Sequence, residues 1–320
     1  MDRELWASIL PAVKRAAREV GWNGGRRPPR YPNWLVVAMY LWCVWHDRTM
    51  SWACDRSHYT GLFRPRGRLP SVSRFTRRVK SDDCQRILQL VHDEFAQRGL
   101  VTAEGYVDGK PLLVGPVSKD RQATRGRVSG GFAKASGFGG CPRAGYKLHA
   151  YVNEHRRIVV WSVTGLSEDE KTVALELLPH LPPMAPGAVV LKDSNYDSAP
   201  LHKAAAELVP GAALVGPLKG QDRVGPGGHH PVTLRQMGPG RRELLAAWRH
   251  CPGLVELVLR ARDTIERVFG VLCCTAGGLG TALPPWVRTL DRVRRWVGAK
   301  IVLYNARLKA QERLREAAAA

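Results

Sequence analysis

Gly105-Tyr-Val-Asp-Gly-Lys-Pro-Leu-Leu-Val114 and Ala188-Val-Val-Leu-Lys-Asp193 decide how this chain is read. Both are short runs rich in β-branched, aliphatic or aromatic residues, the texture of strands. Each carries one aspartate: Asp108 mid-run in the first, Asp193 at the end of the second. A third acid, Glu266, lies in Arg262-Asp-Thr-Ile-Glu-Arg-Val-Phe269, whose apolar spacing is helical. A carboxylate in an apolar segment is costly unless a cation compensates it. A pair of divalent metal ions is the simplest such partner, and metal-assisted phosphodiester chemistry the simplest use of it. Two Mg²⁺ ions about 3.5–4 Å apart can activate an attacking oxygen and stabilise a leaving one at the same phosphorus. Mg²⁺ keeps several waters and needs few carboxylates, so three acids can serve two ions, with Mn²⁺ as a substitute.

Each acid also has a structural reading. An aspartate just after a strand is often a turn or helix cap, and Asp193 fits that description. Asp197, in Asn195-Tyr-Asp-Ser198, is a rival to Asp193 but reads as the cap of a helix over 198–208. Asp263 competes with Glu266 and suits the first turn of its helix, where negative charge favours the helix dipole. Glu266 is a turn deeper and flanked by Ile265 and by Val268-Phe269, so it is expected to face a buried edge. Asp120 and Asp169 read as solvated. His149 reads either as a satisfied strand histidine or as a neighbour of the acids, and His229-His230 as polar loop residues.

Outward from the two runs, strands are expected at Gly145–Val152, Arg157–Thr164 and Ala212–Val215, with helices over 168–180 and 196–208. The order β-β-β-α-β-α-β implies an α/β fold with a mixed sheet flanked by helices. A Gly-rich basic loop spans Lys119–Gly145. A Gly/Pro-rich insertion occupies about 216–250 of the domain at 101–285, and a basic amphipathic helix fills 286–320. Residues 1–100 read as a separate all-helical domain, with helices near the N-terminus and over about 33–46. After a basic loop at Phe63–Pro70, Ser71–Lys80 places Val72, Phe75 and Val79 on one face and Arg74, Arg77 and Arg78 largely on others. Asp82 or Asp83 then caps another helix. A short basic helix after a turn reads either as a helix-turn-helix recognition element for DNA or as a solvated basic face.

The 320 residues carry 49 Lys plus Arg against 28 Asp plus Glu, a formal charge of +21. Such an excess suits a polyanion, nucleic acid before membrane. The seven cysteines lack Cys-x-x-Cys spacing and read as reduced thiols of a cytoplasmic protein. The N-terminus lacks the pattern of a signal peptide, and the most apolar stretch, Trp34–Trp45, is too short to span a bilayer. No Walker loop, His-Glu-x-x-His or Gly-x-Ser-x-Gly occurs, which removes the commonest NTPase, zincin and hydrolase readings.

Four phrases, in order, carry a resemblance: Val107-Asp-Gly109, Gly145-Tyr-Lys-Leu-His149, Lys192-Asp-Ser-Asn-Tyr-Asp-Ser198 and Arg262-Asp-Thr-Ile-Glu-Arg-Val-Phe269. Together they resemble the DDE transposases of bacterial insertion sequences over roughly residues 30–310. The resemblance implies a ribonuclease-H-like catalytic domain with Asp108, Asp193 and Glu266 as catalytic metal ligands, and it makes Arg262 and Lys147 candidates for phosphate contact. It implies binding of double-stranded DNA at terminal inverted repeats, endonuclease cleavage, and strand transfer into target DNA. A homodimer in the DNA complex and a nucleoid-associated, cytoplasmic location follow from the same likeness. The chain departs from one subset's signature, having Leu259 where that subset has Tyr and Cys273 where it has Lys. The rival readings are a transposase-derived DNA-binding protein without chemistry and a ribonuclease-H-type nuclease.

Overall fold

The computed structural model describes residues 1–21, 30–114, 132–134, 142–208, 213–217, 246, 250–275, 277–280 and 282–319. The chain divides into two compact units: a helical one, Met1–Arg98 with Val271–Ala320, and a sheet-containing one, Gly99–Gly270.

The helical unit begins with α1 (Asp2–Val20), α2 (Asn33–Trp45), α3 (Val72–Val79) and α4 (Asp82–Ala96). On α1, Leu5, Trp6, Ile9, Ala12, Val13 and Ala16 recur every three or four residues and are buried. Helix α2 is apolar on every side and buried almost throughout. Trp6 meets Trp42 edge-on at 4.9 Å between ring centroids and stacks on Phe63 at 5.7 Å. The Trp42 indole N–H donates to the His58 carbonyl at 3.0 Å, so this aromatic centre has a polar anchor. Helix α4 is preceded by Ser81 as its N-cap residue, with Asp82 and Asp83 in the first turn. On α3, Phe75 and Val79 are buried, but Val72 is exposed, because the first turn projects beyond the packed face.

The sheet unit contains β1 (Thr102–Leu113), β2 (Phe132–Lys134), β3 (Pro142–Asn153), β4 (Ile158–Gly165), α5 (Glu170–Leu177), β5 (Met184–Lys192), α6 (Ala199–Leu208) and β6 (Ala213–Val215). Helix α7 (Pro252–Arg260) follows, then α8 (Asp263–Cys274), within which the division between units falls. The strands run in the order β2-β3-β1-β5-β6, with β4 also paired to β3. Strands β3 and β4 pair antiparallel, as do β1 and β3, whereas β1, β5 and β6 are mutually parallel. Two antiparallel hairpin strands beside three parallel ones, the latter joined through α5 and α6, make the ribonuclease-H-like mixed sheet expected from the sequence. The basic loop, apart from β2 and the start of β3, lies outside the described residues, as do nearly all of the insertion at about 216–250 and His229-His230.

The last helix, α9 (Leu290–Ala319), belongs to the helical unit. The sequence sets 286–320 apart as a basic helix. In the structure it starts at Leu290, and Val293, Trp296, Val297, Lys300, Ile301 and Tyr304 form a buried stripe against α1, α2 and α4. The buried Lys300 ammonium pairs with Asp47 Oδ1 at 2.5 Å. No helix among the described residues is long and apolar enough to cross a membrane.

Gly145 shows how closely β3 lies on β1. A Cβ there would sit 2.4 Å from the Leu112 carbonyl oxygen, with backbone on both sides of the clash. Gly145→Ala is expected to lower stability by about 1–3 kcal/mol through overpacking, measured as a lower urea midpoint with an unchanged m-value.

Candidate active site

The site is set by register. Val107 on β1 lies beside Lys192 on the parallel strand β5, so the next residues, Asp108 and Asp193, stand on adjacent chains. Adjacent strands are about 4.8 Å apart, which brings the two carboxylates side by side. Period-two alternation separates Asp108 from its neighbours. Val107 packs into the core lined by Ala174 of α5 and Leu201 of α6. Tyr106, two residues from Asp108 on the same side of β1, has its hydroxyl hydrogen-bonded with Thr264 of α8.

Asp108 accepts a hydrogen bond from the Gly109 backbone N–H at 2.7 Å. Burial is the main cause that pushes its carboxyl up to about 6; the neighbouring charges of Asp193 and Glu170 raise it further, and the Gly109 N–H and Arg262 counter them. Asp193 accepts from the Ser194 N–H at 2.6 Å as the cap of a one-turn helix, Ser194–Tyr196. Its cap reading and its place beside Asp108 both hold. The next helix starts at Ala199, so the residue before it is Ser198 rather than Asp197. Ser198 Oγ accepts from the Leu201 N–H there at 3.4 Å, while Asp197 is buried, 3.6 Å from Lys192 Nζ and 3.2 Å from His202 Nε2. Lys192 turns inward because strand alternation points it to the opposite side from Asp193, and its charge draws Asp197 in after it. These contacts fasten both ends of the turn that presents Asp193.

Arg262 joins the third acid to the other two. Its Nη1 lies 3.4 Å from Asp193 Oδ1, its Nη2 lies 2.8 Å from Glu266 Oε1, and its charge acts on Asp108. Arg262 and Glu266 are four residues apart and share a side of the chain at the start of α8. Glu266 does not face a buried edge: its side chain is 58% exposed. Ile265, Val268, Phe269 and Leu272 occupy the buried stripe, which leaves residue 266 on the flank. Asp263 is exposed at the first position of α8.

Three neighbours were not singled out as site residues from sequence. Glu170 opens α5 after Asp169, which caps that helix by accepting from the Thr172 N–H at 3.2 Å. Its carboxylate pairs with Lys147 Nζ at 2.8 Å, so Lys147 is engaged within the site. Both groups, with the Tyr196 hydroxyl, crowd the space above Gly109, where a Cβ would lie 3.1 Å from Glu170 Oε1 and 3.2 Å from Tyr196 Oη. Tyr196 is buried, and its hydroxyl has no hydrogen-bond partner among the described residues. Burial, and then the charges of Glu170, Asp108 and Asp193, hold that phenol far above its usual range. The sequence signal for Gly109 and Tyr196 lay in the phrases themselves; Glu170, on another element, had none. His149 is buried with Nε2 3.0 Å from Thr164 Oγ1, and burial, aided by Lys147, lowers it to about 4, so it is a neutral strand histidine.

The donors gathered around Asp108 and Asp193 are oxygens, which suits a hard divalent cation, and such an ion needs only one or two carboxylates. Among the described residues no three His, Cys, Asp or Glu side chains converge closely enough to enclose a metal. The Arg262 guanidinium is the cation that meets both Asp193 and Glu266.

Outside the site, Arg74 is exposed with its guanidinium 6.0 Å from the Tyr31 ring centre, and Arg77 is exposed. Arg78 is half-buried and donates to Asn33 Oδ1 at the start of α2.

Residues 102–305 match the family described as Transposase DDE domain, and the chain belongs to that family. It is therefore a DNA transposase, of a family that cleaves and transfers DNA strands with the help of divalent metal. No curated protein matches the sequence. Among solved structures the chain is similar to the piggyBac transposase in its synaptic complex with hairpin DNA, determined by cryo-electron microscopy. Sequence identity is 10% and the TM-score 0.46, with 98% of this chain and 74% of that one covered.

The raised Asp108 carboxyl has a consequence for stability in metal-free solution. A folded-state value of about 6 against 3.8 means the folded protein holds this proton more tightly than the unfolded chain. Its contribution is fully present below pH about 4 and is lost as pH rises through about 6. Asp108→Asn cannot ionise, so it should be more stable than the wild type above that window by about 3 kcal/mol. Thermal melts in EDTA from pH 4 to 8 check this: the advantage should grow with pH and vanish at the acid end.

Proposed function

We propose that Asp108, Asp193 and Glu266 are the carboxylates with which this transposase cuts and rejoins DNA, and that they hold two Mg²⁺ ions, for which Mn²⁺ can substitute. The observation that carries this is the reach of one guanidinium, Arg262, to Asp193 and Glu266 beside a half-buried Asp108. Three acids drawn together by one cation leave an excess of negative charge that divalent cations suit. When bound, the ions would supply Lewis-acid activation of the attacking oxygen and stabilise charge on the leaving one.

The chain's own residues do the rest. Asp108 is fixed by the central strand and the Gly109 N–H, and Asp193 by its cap to Ser194. Glu266, exposed on its helix, is free to turn toward the aspartates once Arg262 is drawn to a phosphate, which a guanidinium can grip with two parallel hydrogen bonds. Lys147, tethered to Glu170, would place a second positive charge on the DNA backbone at the edge of the site. Arg74, Arg77 and Arg78 on α3 would engage the duplex of the terminal inverted repeats, and a homodimer would hold two element ends for transfer into target DNA at the cytoplasmic nucleoid.

Asp108→Ala should abolish Mg²⁺-dependent nicking of end-containing DNA while leaving its affinity for the same DNA within about twofold. Nicking by that variant at the wild-type rate would overturn the assignment. Metal binding can be read without DNA. A saturating Mn²⁺ concentration, about 100 times the dissociation constant, should stabilise the wild type by about 2.7 kcal/mol. The Asp108→Asn and Asp193→Asn variants should lose most of that shift.

A further inference from the structure

A groove of about 650 Å³ opens in the helical unit between α1, the entry to α2 and the loop Leu62–Arg68. Five exposed cations line it: Lys14, Arg30, Arg64, Arg66 and Arg68. No carboxylate lines it, and among the described residues none of the five is paired with one. A solvated basic face interspersed with acids would not have this composition. Its floor is apolar: the half-buried Trp34 ring is presented to the groove, with Tyr31, Leu35 and Phe63 buried behind it. Lys14 Nζ sits 5.1 Å from the centre of the Trp34 ring, and Arg30 lies 5.8 Å from that of Tyr31.

The loop is held in place before any ligand arrives. Arg56 donates to the Pro65 carbonyl at 3.1 Å and also to the Gly67 carbonyl, and the Tyr31 hydroxyl donates to the Leu69 carbonyl at 3.1 Å. The three loop arginines therefore project from a fixed backbone, which lowers the ordering cost of a polyanion binding there.

The geometry points to this groove as a binding site for unpaired DNA, with one base against the aromatic floor and the flanking phosphates on the cationic rim. A duplex keeps its bases stacked inside and shows an outside of phosphates, so it can use the rim but not the floor. Pockets of about 300–1,000 Å³ enclose a group the size of a small molecule; this one suits a nucleotide rather than a helix. Aromatic faces beside a basic track are the general means of holding single strands. In a DNA transposase the strand so held would be one opened or frayed at a cleaved end. The groove shares no residue with the acid cluster and does not depend on the metal ligands assigned above.

The test is fluorescence anisotropy with the full chain in EDTA, using a labelled 12-nucleotide single strand and the duplex of the same sequence. Metal is absent, so the result does not depend on whether Asp108, Asp193 and Glu266 act as proposed. The wild type should bind the single strand more tightly than the duplex. Trp34→Ala should weaken single-strand binding about tenfold and duplex binding less than twofold, with Trp34→Phe restoring most of the loss. The triple variant Arg64→Gln, Arg66→Gln, Arg68→Gln changes only exposed positions. It should reduce the slope of log affinity against log salt for the single strand by about 2, as three lost phosphate contacts require. An unchanged single-strand affinity in both variants overturns the proposal. So does a parallel loss for single strand and duplex in Trp34→Ala, which would mark a plain phosphate patch, and so does tighter binding of the corresponding RNA strand, which would assign the groove to RNA.

Discussion

Negative charge held on the central strand of a sheet is the constraint to which much of this structure responds. Asp108 is partly buried on β1 with Asp193 beside it, and neither can move away without breaking the β1–β5 pairing. Charges so placed are tolerated only with compensation. The compensation comes from distant parts of the chain: Arg262 from the start of α8 and Lys147 from β3, the latter itself paired with Glu170 of α5. A mixed sheet is well suited to this. Its parallel half aligns strand ends on one side, and its antiparallel half supplies β3 as a neighbour of β1 from Gly105 to Leu113.

A second set of charges supports the first from within. Lys192, Asp197 and His202 are buried together behind the turn that carries Asp193. Removing any one would strand the others away from water, so the turn is kept in one conformation by the cost of its alternatives. Asp193 is thereby offered at a fixed position, whereas Glu266, on an exposed flank and tied only by a surface ion pair, is easily released. Two of the three acids are thus held by their own backbone, and the third is the adjustable one. The helical unit handles part of its charge differently: besides pairs such as Lys300 with Asp47, it carries five groove cations that among the described residues pair with no acid and that a polyanion can reach.

Much of the fold was legible in the sequence because periodicity is a local property. The apolar runs at 105–114 and 188–193 give strands, the helical spacing of 262–269 gives a helix, and their order gives the sheet. The expectations that failed concern a residue's orientation or partners. Asp197 read as a cap because Asn-Tyr-Asp-Ser is a capping sequence, but a buried lysine five residues earlier pulled it inward and Ser198 took the cap. Glu266 read as buried because its neighbours are apolar, yet those neighbours fill the buried stripe and exclude it. The C-terminal segment read as a basic amphipathic helix, and Val293, Trp296, Val297 and Ile301 form its packed face.

By itself the sequence determined the element types and the basic character, and it singled out the three acids, since each depends on residue type and spacing along the chain. The tertiary structure alone decided which residues share the site. Glu170 is 62 residues from Asp108 and has no local signal, and it comes close only because a crossover helix begins above Gly109. Arg262 becomes the bridge among the acids only once α8 is set near the ends of β1 and β5. Electrostatic partners are chosen by distance through space, and distance through space is what folding supplies.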